Sequence, residues 1–175
     1  RKCTSARTLS GGCAVVNKHD PAIVVCDAGP FIHVDELDSL ELLADFSRIL
    51  TPSSVRKEVL RHRPRVFDRE SLPIEIIDTV LSPSSKLAKL SHMLSLDQGE
   101  IDALALAESL VGCILLTDDN AARLAASELN IRVHGALAIL LRAVRRGLRS
   151  RDEIVALLKE MPARSTLHIR QNLLL

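Results

Sequence analysis

The chain has 175 residues, of which 47% are hydrophobic, so it is long and apolar enough to form one domain with a sizeable core. Aromatic residues make up only 2%, which argues against binding of bases by stacking on aromatic side chains. The net charge of +1 excludes a strong overall attraction to nucleic acid, so affinity for a polyanion must come from local basic clusters.

The first 20 residues are rich in Gly, Ser, Thr and basic residues and have no hydrophobic period. We therefore expect a flexible leader over 1–20 and a single domain over 21–175. The four cysteines lack a zinc-binding spacing, and Cys26 and Cys113 lie inside apolar runs, which is typical of buried free thiols in a reducing cytoplasm. No apolar run is long enough to span a membrane and no signal-peptide pattern is present, so we expect a soluble cytoplasmic protein.

Short apolar runs alternate with amphipathic segments along the rest of the chain. Residues 22–27, AIVVCD, predict a buried strand, and 31–46 predict a helix because apolar residues recur at helical spacing. Thr51 and Pro52 predict the start of a helix over 51–62, with Thr51 as N-cap and Pro52 at the first helical position. The other predicted elements are strands at 48–50, 73–78, 112–119 and 131–135, and helices at 84–94, 97–111, 120–129, 136–147 and 150–160. This alternation predicts an α/β three-layer fold with a parallel sheet of about five strands between helices.

Acidic residues follow two of the most apolar predicted strands. Asp27 ends the first strand, and Asp118 and Asp119 follow CILLT. If these strands are neighbours at the switch point of the sheet, their carboxylates meet in one crevice, where a divalent cation would neutralise them. Hard oxygen ligands favour Mg²⁺ or Mn²⁺. The alternative is local: Asp118 or Asp119 caps the next helix, and Asp27 is a turn residue.

The segment LDQGEIDALALA supplies further acids. Asp97 and Glu100 have the spacing of a capping box, which is the structural alternative to a functional role. Glu100 nevertheless lies on the side of Leu104 and Ala107, in a helix apolar enough to be buried, so it is expected to face a cleft. Asp102 is the weaker candidate.

Glu58 lies within a basic run, and a second basic run follows near the carboxyl end. The first run contains Arg56, Lys57, Arg61, His62, Arg63, Arg65 and Arg69, and the second contains Arg142, Arg145, Arg146, Arg149 and Arg151. Two basic patches beside an acidic metal centre suit a polyanionic substrate, because Lys and Arg bind phosphates. A solvated surface is the alternative, and we favour it for the second run.

Four segments together resemble the PIN-domain ribonucleases: VVCDAGPFI, LTPSSVRKEVL, LDQGEIDALALA and LLTDDNAARLAASELNIRVHGALAILLRAVRRGL. The resemblance covers roughly residues 22–160 and implies a five-stranded parallel sheet in the order 3-2-1-4-5. It implies that Asp27 is the first catalytic acid, Glu58 the second, Glu100 the third, and Asp118 or Asp119 the fourth.

By the same resemblance, the reaction is hydrolysis of single-stranded RNA that depends on one or two Mg²⁺ or Mn²⁺ ions. The expected metal ligands are Asp27, Glu100, Asp118 and Asp119, and the expected RNA-binding residues are Arg56, Lys57, Arg61 and Arg63. Many PIN proteins are toxins that an antitoxin protein holds inactive, and they are often dimers, so RNA, an antitoxin and a second copy of the chain are the expected partners. No membrane partner is expected.

Two departures from the family pattern bear on activity. Gly29 replaces a Thr or Ser whose hydroxyl lies near the metal in many members, and Glu100 replaces an Asp. A non-catalytic PIN fold that binds RNA or protein is therefore an alternative. Other enzyme classes fit less well: Asp27 lacks the second acid of a phospho-acceptor receiver or a haloacid-dehalogenase phosphatase, and GxGxxG, GxxxxGK[ST] and GxSxG are all absent.

Overall fold

A computed structural model describes residues 23–79 and 81–167 of the chain. Its centre is a five-stranded parallel sheet in the order β3-β2-β1-β4-β5, which confirms the predicted order. The strands are β1 (Ile23–Cys26), β2 (Arg48–Pro52), β3 (Ile74–Ile77), β4 (Ile114–Leu116) and β5 (Arg132–His134). The predicted leader over 1–20 lies outside the described residues.

Helices pack in two groups around the sheet, as expected for strands that are buried on both faces. The α-helices of the described chain are α1 (Ala28–Glu36), α2 (Ser53–His62), α3 (Ser85–Leu94), α4 (Gln98–Ser109), α5 (Asn120–Glu128), α6 (Ala136–Arg145) and α7 (Arg151–Arg164). Contacts link α1, α6 and α7 into one group and α3, α4 and α5 into the other, while α2 contacts both α1 and α4. No helix of the described ranges is long and apolar enough to cross a membrane.

The order of the strands along the chain reverses between β1 and β4, which places a switch point there. These two strands pair in parallel, with Cys26 opposite Leu116, and the Asp27 amide continues the ladder by donating to the Leu116 carbonyl at 2.9 Å. Ligands of open α/β sheets bind beyond the carboxyl ends of the strands at such a point. The fold therefore brings the residues that follow β1 and β4 to one edge.

The core is built from the apolar runs that predicted the strands. Val24, Val25 and Cys26 of β1 are fully buried, and α4 packs over β1, β2 and β4. Residues Ala103–Ala107 of α4 are buried, which confirms the prediction that this apolar helix is interior. The amino end of α4 is consequently held close to the edge where β1 and β4 end.

The single helix predicted over 31–46 is wrong. The structure has α1 there, followed by a 3-10 helix over Leu40–Asp45, and Asp38 between them has a positive φ of 50°. The apolar spacing continues through both pieces because α1 buries Phe31 and Val34, and the 3-10 helix buries its leucines, in the same core. Hydrophobic periodicity therefore predicts which residues are buried here but does not predict the break in the helix at Asp38.

The predicted N-cap at Thr51 is also wrong. Strand β2 continues through Pro52, which occupies the N-cap position of α2 without a side-chain hydrogen bond. The Thr51 hydroxyl is fully buried and has no hydrogen-bond partner within the described residues. Pairing with β3, where Thr51 lies opposite Ile76, keeps these residues extended.

Candidate functional site

An open cleft of about 360 Å³ lies beyond the carboxyl ends of β1 and β4. The carboxylates that line it, within the described residues, are Asp27, Glu58, Asp97, Glu100, Asp118 and Asp119. All five acids for which the sequence predicted a catalytic role therefore border one cleft, together with Asp97. Whether they act in catalysis stays a prediction.

Asp27 is the most deeply buried of these acids, with 6% of its surface exposed. It precedes α1, and its side chain accepts a hydrogen bond from the Thr117 hydroxyl, which follows β4, at 2.7 Å. Burial, with smaller contributions from the negative charges of Glu58 and Asp97, raises the pKa of Asp27 to about 6, and hydrogen bonds from Thr117 and Ala28 oppose this rise. Asp27 is therefore oriented across the sheet towards β4 and is more than a turn residue.

Asp118 and Asp119 follow β4 and have different partners. Asp118 accepts the Ala136 amide at the start of α6 at 3.0 Å, and burial raises its pKa. Asp119 caps α5 by accepting the Ala122 amide at 2.9 Å. The capping alternative therefore holds for Asp119, although the same side chain also borders the cleft.

Gly135 makes the position of Asp118 possible. A Cβ at residue 135 would collide with the Asp118 carboxylate, which passes over it to reach the Ala136 amide. The backbone between β5 and α6 must therefore lack a side chain at this position if Asp118 is to be held beside Asp27.

Glu100 has both roles that the sequence left open. The capping box is formed: Asp97 accepts the Glu100 amide at 2.9 Å, and Glu100 accepts the Asp97 amide at 2.8 Å. Burial is the main cause that raises the pKa of Glu100 to about 7. The charges of Asp119 and Asp97 and a hydrogen bond to the Asp119 side chain add to this rise, and the hydrogen bond from the Asp97 amide opposes it. Asp102 accepts hydrogen bonds from Ser54 and Gln98, outside this cleft.

Glu58 comes from α2, and its approach depends on a second glycine. A Cβ on Gly99 would lie 3.3 Å from both the Glu58 Oε2 and the Asp97 Oδ1, which is tight packing. Burial first, and then the negative charge of Asp97, raises the pKa of Glu58. Gly99 thus allows the amino end of α4 to lie against α2 and adds Glu58 to the cleft.

The donor set fits a hard divalent cation in its chemistry. Four of these acids, Asp27, Glu58, Glu100 and Asp118, have raised pKa values, in each case chiefly because burial disfavours the charged form. For Asp27, Glu58 and Glu100, the negative charges of neighbouring acids add to the rise. Carboxylate oxygens are the ligands that Mg²⁺ and Mn²⁺ prefer. Among the described residues, no group of three or more His, Cys, Asp or Glu side chains is already arranged to hold a metal ion. A cation would therefore have to draw these side chains together.

A larger cavity of about 990 Å³ adjoins the acidic cleft, and Glu58 and Asp97 line both. The exposed Lys57 and Arg61 of α2 line this cavity, and their binding of phosphates stays a prediction. The other two predicted RNA-binding residues have partners within the protein. Arg56 lies 5.9 Å from the centre of the Phe67 ring, and Arg63 donates to Glu36 at 3.0 Å.

The second basic run forms ion pairs with acids near the 3-10 helix. Arg142 and Arg146 both donate to Asp45, and Arg149 donates to Glu41. We call this group of residues the arginine cluster. Its side chains tie α6 and the residues after it to the 3-10 helix, so its arginines are better explained by structure than by binding of a polyanion.

The sequence did not predict three polar residues at or beside the cleft. His33 of α1 and Thr166 line the cleft, and the buried Thr117 donates to Asp27. An available signal for His33 is its spacing of four residues from Gly29, which places both on one side of α1. Thr117 had no signal of its own, because hydroxyl residues are common at strand ends.

The fold and the site define a class: an α/β protein with a parallel sheet and an acid-lined cleft at its switch point. The family model described as PIN domain matches residues 23–174, so the chain belongs to the PIN-domain family. PIN domains are generally nucleases and typically use divalent metal ions. A comparison with curated proteins found no match.

Proposed function

We propose that this protein is a Mg²⁺- or Mn²⁺-dependent endoribonuclease that hydrolyses single-stranded RNA in the cytoplasm. The observation that carries the proposal is the convergence of Asp27, Glu58, Glu100, Asp118 and Asp119, which are distant along the chain, on one cleft. Family membership supports the nuclease class. The choice of single-stranded RNA rests on the resemblance to PIN ribonucleases.

The protein's own residues position the ligands and the substrate. Thr117 orients the Asp27 carboxylate, and the Ala136 amide orients Asp118, so both acids are held at the ends of neighbouring strands. Asp27, Glu100, Asp118 and Asp119 would hold the cation, which when bound would activate water and stabilise charge on the phosphate. Lys57 and Arg61 would bind phosphates of the RNA along the adjoining cavity.

The test is cleavage of a fluorescent single-stranded RNA by the purified chain with added Mn²⁺ and, separately, with a chelator. We expect cleavage that stops on chelation and that falls by about 100-fold or more in Asp27→Asn, because a fixed electrostatic group of the reaction is lost. Asp152→Asn, which changes an exposed acid of α7, is the matched control and should cleave normally. Circular dichroism should show that both variants are folded. Equal cleavage by Asp27→Asn and the unchanged chain would contradict the proposal.

We extend the proposal to a role as the toxin of a toxin–antitoxin pair, held inactive by an antitoxin, and to assembly as a homodimer. This extension rests on the resemblance alone. Induced expression of the chain in bacteria should arrest growth, and expression of Asp27→Asn should not. Equal growth of the two strains, at equal protein levels, would remove the toxin role while leaving the nuclease proposal in place.

A non-catalytic PIN fold that binds RNA or protein is the second candidate, and specific observations favour it. The described side chains form no ready-made metal group, and Gly29 lacks the hydroxyl found in many family members. In the same RNA assay, this alternative predicts binding without cleavage at any Mn²⁺ concentration.

A further inference from the structure

His33 is a polar residue of the acidic cleft to which the proposed reaction assigns no role. It lies one helical turn after Gly29 in α1, lines the cleft, and has 12% of its side-chain surface exposed. Its Nδ1 lies 3.3 Å from the Glu36 Oε2. The imidazole therefore lies between a carboxylate on one side and the cleft on the other.

Glu36 is held so that it can orient this ring. Its side chain is only 4% exposed and accepts hydrogen bonds from Arg63 at 3.0 Å, the Ser165 hydroxyl at 2.8 Å and the Thr166 amide at 2.9 Å. Burial opposes ionisation, but these bonds together with the one to His33 lower the pKa of Glu36 to about 2. The Nδ1 atom also lies 3.3 Å from the Ser165 hydroxyl. In the tautomer that carries its proton on Nδ1, the ring donates a hydrogen bond to Glu36 and its Nε2 lone pair can act as a ligand.

The Nε2 atom faces the acidic cleft beside Asp118. A Cβ built on Gly29 would lie 3.7 Å from the His33 Nε2 and 3.6 Å from the Asp118 Oδ2. A nitrogen and a carboxylate oxygen therefore border the same small space, which is open because residue 29 has no side chain. This is also the position at which many PIN proteins carry a hydroxyl residue, so His33 offers a nitrogen donor beside the space that such a side chain would occupy.

We propose that the His33 Nε2 is a ligand of the cation in the acidic cleft, with Glu36 as its positioning residue, and that the centre consequently prefers Mn²⁺ to Mg²⁺. Imidazole binds first-row transition metal ions better than it binds Mg²⁺, which prefers oxygen ligands. A carboxylate that accepts the other ring N–H is the usual partner of a metal-binding histidine. The proposal rests on the proposed function, since it names the cation of that same site.

The test uses the full chain freed of metal by chelation. Calorimetric titration with Mn²⁺ and with Mg²⁺ gives the two affinities, and pulsed electron paramagnetic resonance of bound Mn²⁺ reports a directly bound nitrogen. The informative variant is His33→Asn, whose amide retains a donor near the Nδ1 position and removes Nε2. His92→Asn, at an exposed position of α3, is the matched control.

We expect a nitrogen coupling in the unchanged chain and in His92→Asn, and its loss in His33→Asn. The Mn²⁺ affinity of His33→Asn should fall by about tenfold or more, with a smaller change for Mg²⁺. A Mn²⁺ signal without nitrogen in the unchanged chain, or an unchanged ratio of the two affinities in His33→Asn, would overturn the proposal.

The two proposals fail in different ways. If Mn²⁺ binding requires Asp27 but not His33, only the nitrogen ligand is removed and the proposed nuclease function is left standing. If neither ion binds the unchanged chain, the metal-dependent function falls and this inference falls with it. The nitrogen coupling is measured on the unchanged chain, so this result does not depend on whether a variant folds.

Discussion

Charged side chains from distant parts of the chain meet in both the acidic cleft and the arginine cluster, but the two regions balance charge in opposite ways. In the cleft, six carboxylates of the described chain line one opening, and four of them have raised pKa values. In the arginine cluster, the Asp45 carboxylate accepts from Arg142 at 2.6 Å and from Arg146 at 3.0 Å. Like charges are gathered in the first region, and opposite charges are matched in the second.

The difference is consistent with our proposal that the acidic cleft binds a cation and that the arginine cluster stabilises the fold. In the cleft, Asp27 is buried and Glu58, Glu100 and Asp118 are half-buried, so their charged forms oppose folding. Matched pairs at a partly buried position stabilise the contact between α6 and the 3-10 helix. The acidic cleft is therefore the region for which we propose a ligand.

The largest expected effect on stability comes from removing the Asp45 carboxylate of the arginine cluster. Asp45→Ala should lower the free energy of unfolding by about 2 kcal/mol, because Arg142 and Arg146 lose a carboxylate that is 8% exposed. Urea unfolding measures this change. The control is Glu41→Ala, since its pair with Arg149 is more exposed and should contribute at most about 1 kcal/mol. Equal effects of the two substitutions would show that burial of Asp45 does not strengthen its ion pairs.

In the cleft, we expect a substitution to raise the free energy of unfolding. The folded-state pKa of Asp27, about 6, lies above its ordinary value of 3.8. Protonated Asp27 therefore contributes stability below about pH 4, and this contribution is lost as the pH rises through 6. Asp27→Asn carries no charge at this position and avoids that loss. Without a cation at pH 8, the variant should be more stable than the unchanged chain by about 1–2 kcal/mol.

The pH dependence of this gain is the critical measurement. Urea unfolding in chelator at pH 8 and at about pH 4 should show the gain at the higher pH and little difference at the lower one. Asp152→Asn, at an exposed position of α7, should show no such dependence. A variant that is less stable at both pH values would mean that the Thr117 hydrogen bond outweighs the buried charge.

The smallest expected effect is a difference in RNA binding between variants of two nearby arginines, Arg61 and Arg63. Arg61 lines the cavity beside the cleft, whereas Arg63 is bound to Glu36. Arg61→Gln should weaken binding of single-stranded RNA and reduce the salt slope of log K by about 0.7, the value for one phosphate contact. Arg63→Gln should leave the slope unchanged. Fluorescence anisotropy across a salt series, in the Asp27→Asn background to prevent cleavage, measures both, and equal slopes for the two variants would contradict this assignment.

Local patterns were enough to predict much of this protein. Apolar runs bounded by turn residues predicted five strands, and the family resemblance supplied their order, which the structure confirms. The switch point then follows from the order, so Asp27 and Asp118 could be expected at the same edge. The capping box at Asp97 and Glu100 was also visible, because its residues interact over a single helical turn.

Other features had no local pattern to predict them. The break at Asp38 is hidden because α1 and the 3-10 helix both bury apolar side chains in one core. The pairing of Arg63 with Glu36 depends on how α2 packs beside α1, and the buried hydroxyl of Thr51 depends on the extension of β2. Each is a contact between elements, and periodicity within one element carries no information about it.

By itself, the sequence determined the class of fold and the acids that border the cleft. Apolar strands and the carboxylates that follow them can be recognised within individual segments of the chain. Only the tertiary structure decided that Glu100 both caps its helix and borders the cleft, that Arg142 and Arg146 share Asp45, and that His33 faces Asp118. These arrangements depend on distances between elements that are remote in the chain, and such distances are set only when the helices pack on the sheet.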